Sequence, residues 1–451
     1  MFKTFCFLVS VCLYFLISSA QTRDEMPRPD RQQPSPVIFE ALPYWNHDTT
    51  TIDLVIIYRI SPSFLFFGKS GTPQQESYEA KGELVVEILD ENEVTVARDL
   101  RPIQVERFSA PTETRSSLGN IQGMFAFQLK RGIYRIVIEA NDSESGKSFI
   151  NRDTKVEAKT SSLTDLNISP ILFVEPLHLD SISASRTKFI PLNHGGHSLI
   201  GQPAGCIFQV IPRDTSPFQI SWKLTGKDKN DEDTVDLHGD KYQQFDGIPA
   251  PAEISNALSM GIKKDSLQSR IVYLPIPLER LDPGKYQLTI SAEQNTHTSL
   301  KDLPFTILWP FKPISLSDPR VAVEALKHIA SEEEIDRMSG LSSSKARKAF
   351  KEFWQKRSPD TTNAFNPAMA EYYRRVDETI RRFSVGNETD GYRTDRGRIY
   401  ILFGSPTVTN RLLKPNTAPT EIWTYERLKQ RFTFTDRQKT GNYILVKTEN
   451  Y

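Results

Sequence analysis

Two stretches of this 451-residue chain place reactive side chains at spacings compatible with chemistry. The first runs Gly391-Tyr392-Arg393-Thr394-Asp395-Arg396-Gly397-Arg398 and is followed, beyond the Gly404-Ser405-Pro406 turn, by Glu421-Ile422-Trp423-Thr424-Tyr425. Asp395 and Glu421 are a carboxylate pair of the kind that glycan or peptide hydrolysis needs, two carboxyls held apart across the bond. Asp395, Arg396 and Arg398 alternatively form a polar group suited to a peptide, glycan or anionic ligand, with Tyr392 as an aromatic platform. The second stretch is His194-Gly195-Gly196-His197, two imidazoles on a flexible spacer. Zinc sites require three or four protein ligands and no His-Glu-x-x-His is present, so this reads as a surface turn. Asp228 with Asp231-Glu232-Asp233 is acidic enough for calcium but lacks the EF-hand spacing, and reads as a solvated hairpin tip.

Other reactive groups are ruled out by context. There is no Gly-x-Ser-x-Gly, no Gly-rich phosphate loop and no dinucleotide fingerprint, so neither a catalytic serine nor a nucleotide cofactor is expected. Cys206, between Gly205 and Ile207-Phe208, reads as a small buried hydrophobe. Neither metal nor cofactor is expected. A structural reading of the octapeptide is the stronger one. Thr394 and Asp395 can hydrogen-bond backbone amides where helices give way to strands, and Asp395 with Arg396 or Arg398 can pin the first strand to the helices through a charge-assisted hydrogen bond.

The elements around that junction follow from periodicity. Asp318-Pro319 is a helix start, with Asp318 as cap and Pro319 at the first position, where its missing N–H costs nothing. Ala346, Phe350, Phe353 and Trp354 mark a second helix beginning in the Ser342 to Ser344 cluster, and Phe365, Met369, Tyr372, Tyr373, Val376, Ile380 and Phe383 a third. From Arg398 the period switches to two, predicting strands near 398–403, 421–425, 431–436 and 442–447. In such a strand Arg396 and Arg398 share a face. The last domain, 318–451, is therefore expected to be α+β: about three helices, then a small antiparallel sheet.

Four motifs in this region resemble those of the bacterial GWxTD-domain family. They are Gly391-Tyr392-Arg393-Thr394-Asp395, with Tyr392 where the family usually has Trp; Phe350 to Trp354; Tyr372-Tyr373-Arg374-Arg375-Val376; and Glu421-Ile422-Trp423-Thr424-Tyr425. The resemblance implies an architecture and an exported compartment. It implies no reaction, because that family has no established activity. It makes Gly391, Tyr392, Thr394, Asp395, Arg396, Arg398, Glu421 and Trp423 the signature or candidate binding residues, and none is assigned a catalytic role.

Upstream, alternating runs separated by Gly, Pro and Ser clusters predict two tandem immunoglobulin-like antiparallel β-sandwich domains, at 37–160 and 161–308. Phe125 to Ile136 and Ile276 to Leu288 share one pattern: a strand, a Gly turn, then Tyr134 or Tyr286 opening a new strand. Each resembles the tyrosine corner of such sandwiches. Trp45 and Trp222 are the candidate platforms if these domains bind carbohydrate. Residues 309–317, rich in Pro, read as a stiff linker.

Lys3, the apolar run Phe5 to Ile17 and Ser18-Ser19-Ala20 have the order of a cleavable signal peptide (1–20), with 21–36 a disordered Pro-rich leader. Export to the periplasm or cell surface is expected, and no later run is long enough to span a membrane. Basic and acidic residues balance at 56 each, which argues against a nucleic-acid binder. The expected role is a non-enzymatic interaction or structural protein of the cell envelope, with an envelope protein or glycan as partner. The alternatives are the hydrolase and carbohydrate-binding readings above, and the oligomeric state is left open.

Overall fold

The computed structural model describes residues 35–46, 50–72, 75–107, 120–159, 165–177, 187–228, 234–254, 257–264, 268–339, 344–385, 390–415 and 417–451. The N-terminal apolar run, most of the Pro-rich leader and Asp231-Glu232-Asp233 lie outside the described residues.

Val37–Trp45, Thr51–Ile60 and Ile121–Lys130 form a three-stranded antiparallel sheet. Facing it, the long strand Gln75–Leu89 pairs with Thr95–Arg107 and Gly132–Asp142, and Ser148–Ala158 lies beyond. Leu54, Ile56, Val86, Phe125 and Ile136 fill the space between these sheets. A second sandwich follows the same plan. One sheet holds Leu172–Val174, Ala204–Ile211, Arg270–Ile276 and Gln243–Asp246; the other holds His297–Leu308, Gly284–Gln294, Gln219–Asp228 and Thr234–Gly239. Cys206, Phe208, Leu224, Leu288 and Ile290 are buried between them. The Cys206 thiol is wholly enclosed, and burial pushes its pKa up, so it packs as a hydrophobe.

Both expected tyrosine corners are present. Tyr134 donates its hydroxyl to Lys130 O at 3.1 Å and Tyr286 to Asp282 O at 2.8 Å, each four residues back along the chain. The ring fills the corner while the hydroxyl satisfies a turn carbonyl.

The sandwiches are not beads on a string. A third apolar core, including Leu42, Tyr44, Val55, Ile57, Leu172, Ile207, Met260 and Tyr273, packs the outer face of the three-stranded sheet against the second sandwich. Strands buried on both faces need apolar residues at successive positions rather than alternate ones. Leu54-Val55-Ile56-Ile57 and, apart from Gln209, Ala204–Ile211 have that composition and are buried throughout. Gln209 crosses the boundary and closes it with polar bonds, accepting from Trp45 N and donating to Trp45 O, both at 2.9 Å.

The C-terminal region has five α-helices among the described residues, rather than about three: α1 (Pro319–Glu324), α2 (Glu332–Met338), α3 (Ser344–Gln355), α4 (Pro367–Phe383) and α5 (Asp395–Phe403). Asp318 caps α1 as expected, accepting from Arg320 N at 2.9 Å and Val321 N at 3.2 Å. Helix α2 starts with a Ser331/Glu334 capping box. The terminal sheet has the order Val408–Leu412, Thr420–Tyr425, Gln430–Thr435, Ile444–Asn450, all antiparallel. The expected strand at 398–403 is helix α5. A short continuous apolar run such as Ile399 to Phe403 suits either a buried strand or a buried helix, and here both sides are covered. Ile401 packs with the other helices, while Ile399 and Tyr400 pack on the sheet.

The Trp309 to Ile314 segment is tied down rather than free. Asp377 of α4 accepts from Ile314 N at 2.7 Å and Ser315 N at 2.8 Å, and the Trp309 ring meets Phe365 edge-on at 6.0 Å. Lys351 of α3 reaches Asp282 at 2.7 Å, and Ala364 N donates to Glu279 O at 2.8 Å. Thus the helices are fastened to the second sandwich.

The His194-Gly195-Gly196-His197 turn, expected at the surface, is wedged between the sandwiches, with His194 buried and the other three residues half-buried. His194 is buried, 2.7 Å from Arg59 Nη1 and 3.0 Å from Gln202 Oε1, and burial with the nearby Arg59 charge lowers its pKa to about 4. Glu40 of the Val37–Trp45 strand accepts the Gly196 N–H, and burial raises its pKa to about 7. A carboxyl raised on folding contributes stability that is fully present below its ordinary range and lost as pH rises through about 7. Glu40→Gln should therefore melt above wild type at pH ~8, with the difference closing by pH ~5, as read by thermal unfolding across pH.

Candidate functional site

The signature is built on close backbone approach. A Cβ on Gly391 would lie 2.0 Å from Thr379 O of α4, and one on Gly397 would lie 2.0 Å from Gly391 O. Both positions need glycine for space, not for unusual dihedrals. Thr394 then joins the two turns: its hydroxyl donates to Gly391 O at 2.8 Å and accepts from Gly397 N at 3.0 Å, capping α5.

Tyr392 is buried, 2 % exposed, and so is not an aromatic platform. Its hydroxyl donates to Glu324 of α1 at 2.5 Å, and its carbonyl accepts from His328 Nε2 at 2.9 Å. Arg393 also pairs with Glu324 and lies over the Tyr392 ring at 5.6 Å. Partial burial alone would raise the Glu324 carboxyl, but bonds from Tyr392 and Arg393 hold it below its ordinary range.

Asp395 and Arg396, adjacent on the first turn of α5, reach different strands. Asp395 accepts from Leu445 N at 2.8 Å and lies 3.5 Å from Arg398. The expected pinning of a first strand to the helices by Asp395 with Arg396 or Arg398 is not what forms, because 395–403 is itself a helix; Asp395 instead ties α5 to the last strand of the sheet. Arg396 pairs with Glu421 at 3.0 Å, their side chains 11 % and 4 % exposed, and its guanidinium lies 4.1 Å over the Tyr443 ring. Trp423 Nε1 donates to the other Glu421 oxygen at 2.9 Å, and Arg411 lies 3.6 Å from the same atom. Because 395–403 is helical, Arg396 and Arg398 do not share a face: Arg396 turns into the sheet and Arg398 is exposed.

This arrangement leaves no free carboxylate pair. Both oxygens of Glu421 are engaged inside the domain, and Asp395 holds a backbone amide. An acid–base couple must face a shared space wide enough for a substrate bond. The tryptophans of the sandwiches are covered to different degrees. Trp222 is 9 % exposed and lies across Gly239, and Trp45 is half-buried with its Nε1 donating to Lys159 O at 2.9 Å. Among the described residues no group of three His, Cys, Asp or Glu could hold a metal ion.

The other motifs make contacts of the same kind. Tyr372 and Tyr373 donate their hydroxyls to Ala325 O and Ala322 O, each at 2.6 Å. Arg375 reaches Ile401 O at 3.0 Å and Leu402 O at 3.2 Å at the end of α5, and Tyr425 donates to Gly404 O at 2.8 Å. Glu324, His328 and Asp377 are the residues that sequence reasoning missed. Their partners lie more than sixty residues away, with no local spacing to announce them.

Removing one member of a buried pair strands the other. Glu421→Gln should cost about 3–5 kcal/mol in denaturant unfolding, and Arg396→Met with Glu421→Leu should cost less than the sum of the single changes. Gly391→Ala should be as damaging or more so, since its methyl meets backbone, and Arg398→Ala should stay within about 0.5 kcal/mol of wild type.

No curated protein matches the chain. Among solved structures, the C-terminal domain of the Streptococcus pyogenes antigen I/II-family protein AspA is 7 % identical, covering 60 % of this chain and 98 % of that one, with a TM-score of 0.15. Activated Escherichia coli alpha-2-macroglobulin is 10 % identical over 61 % of this chain and 24 % of that one, TM-score 0.16. A family 123 glycoside hydrolase from Clostridium perfringens is 17 % identical over 37 % and 35 %, TM-score 0.16. At these scores neither fold nor activity transfers. The family model described as the GWxTD domain matches residues 303–451, the region built around the Gly391 to Asp395 signature, and that part of the chain is a GWxTD domain.

Proposed function

We propose that this chain is an exported, non-enzymatic interaction or structural protein of the bacterial cell envelope. One observation carries the reading: Tyr392, Thr394, Asp395, Arg396, Glu421 and Trp423 each have a hydrogen-bond partner inside the domain. A signature so committed is a clasp: Arg396 and Glu421 are nearly enclosed, and the part-exposed Asp395 is held by the Leu445 N–H. Export is supported by the order of charged, apolar and small residues over 1–20. No helix among the described residues is long and apolar enough to cross a membrane.

The terminal sheet supplies the surface. Its first strand, Val408–Leu412, is exposed throughout and pairs on one side only, so its other edge offers backbone groups to an envelope protein by strand addition. Leu412 and Val408 are 44 % and 41 % exposed and lie beside that edge. A photo-crosslinking residue at Leu412, in cells making the chain, should give a discrete protein adduct that the same residue at Leu300, in the second sandwich, does not. Absence of an edge adduct, or a glycan- or peptide-cleaving activity that Glu421→Gln abolishes without unfolding, would overturn the reading.

A further inference from the structure

The opposite edge of the same sheet carries a self-complementary pattern. Strand Ile444–Asn450 pairs with Gln430–Thr435, with Lys447 opposite Thr433 and Glu449 opposite Arg431. Tyr451 N donates to Lys429 O at 3.0 Å, which sets the hydrogen-bond phase. In an antiparallel ladder the residues that bond inward alternate with those that bond outward. Glu449 and Lys447 therefore bond inward, and Thr448 and Asn450 present their N–H and C=O to the open edge. At its start the edge is closed, because Leu445 N–H is held by Asp395.

We propose that a second copy of this chain occupies this edge, through antiparallel pairing of the two Ile444–Asn450 strands about a two-fold axis at Thr448. The proposal deepens the interaction reading by naming the occupant of one edge. In that register the two Thr448 residues exchange backbone hydrogen bonds. Lys447 of each copy then stands opposite Glu449 of the other, giving two opposite-charge cross-strand pairs. Both side chains are accessible, 62 % and 37 % exposed, and their 2.8 Å contact within one strand puts them on one face, as the cross-strand pairs require. Val446 and Tyr451, 45 % and 54 % exposed, flank the charges and lose water on pairing. The Val408–Leu412 edge has no such symmetry, since Arg411 is its only charged residue. The occupied edge is short, so the contact should be weak, with half-association at about 10–100 µM.

The test is sedimentation equilibrium of the full chain over a range of concentrations, with circular dichroism of every variant. Wild type should pass from monomer to dimer and stop there. Lys447→Glu and Glu449→Lys, each placing like charges opposite one another twice, should each weaken dimerisation about tenfold or more. The double swap should restore it, since the pairs are then re-formed with the signs exchanged. Thr448→Pro, which removes the N–H on the axis, should abolish it. A wild type that stays monomeric throughout, open-ended growth beyond the dimer, or single reversals without effect would each overturn the proposal. None of these outcomes bears on adducts from the Leu412 edge, so failure here is distinguishable from failure of the interaction reading.

Discussion

The C-terminal domain depends on two adjacent charges at the start of one helix. Asp395 and Arg396 leave α5 in different directions, one to the backbone of the last strand and the other to Glu421 in the second strand of the sheet. A helix joined to two strands this way cannot rotate or slide without breaking a charged contact. The Arg396–Glu421 pair is nearly enclosed, and separating it would leave a charge in an apolar surround. Desolvating those charges is costly, so the pair is better understood as specifying one arrangement of helix on sheet than as a large net source of stability.

Around α5 the other contacts serve the same placement. Thr394 caps its start, Arg375 binds its final carbonyls, and Gly391 lets the preceding turn touch α4 directly. Tyr392 and Arg393 converge on Glu324, which brings α1 into the assembly. The family motifs, spread from Phe350 to Tyr425, therefore meet around one short helix. That convergence gives the residues most suggestive of chemistry in the sequence their partners within the domain.

Much of this was legible in the sequence where a local rule applied. The Asp318-Pro319 cap, the aromatic stripes of α3 and α4, and both tyrosine corners depend on residues within a few positions of each other. Where burial on two sides erased the period, the reading went astray. Ile399 to Phe403 carries no polar residue to show which faces are covered, and strand and helix were indistinguishable there. The capping signal of Thr394 and the terminating Gly404 favour the helix, yet each is a weak sign beside a β-rich composition. The His194 turn departs from its local sequence signal for a different reason. Two glycines suggest exposure, and only the neighbouring sandwich shows what the turn is packed against.

The strand Thr51–Ile60 lies between two cores, with Leu54 and Ile56 in one and Val55 and Ile57 in the other. An ordinary surface strand has a lenient parity: alternate positions accept polar replacements and drift freely over evolutionary time. This strand has no lenient parity along its centre. Its substitution record should resemble that of a buried parallel strand in an α/β enzyme, with hydrophobic identity held at consecutive positions, even though every neighbour it pairs with is antiparallel.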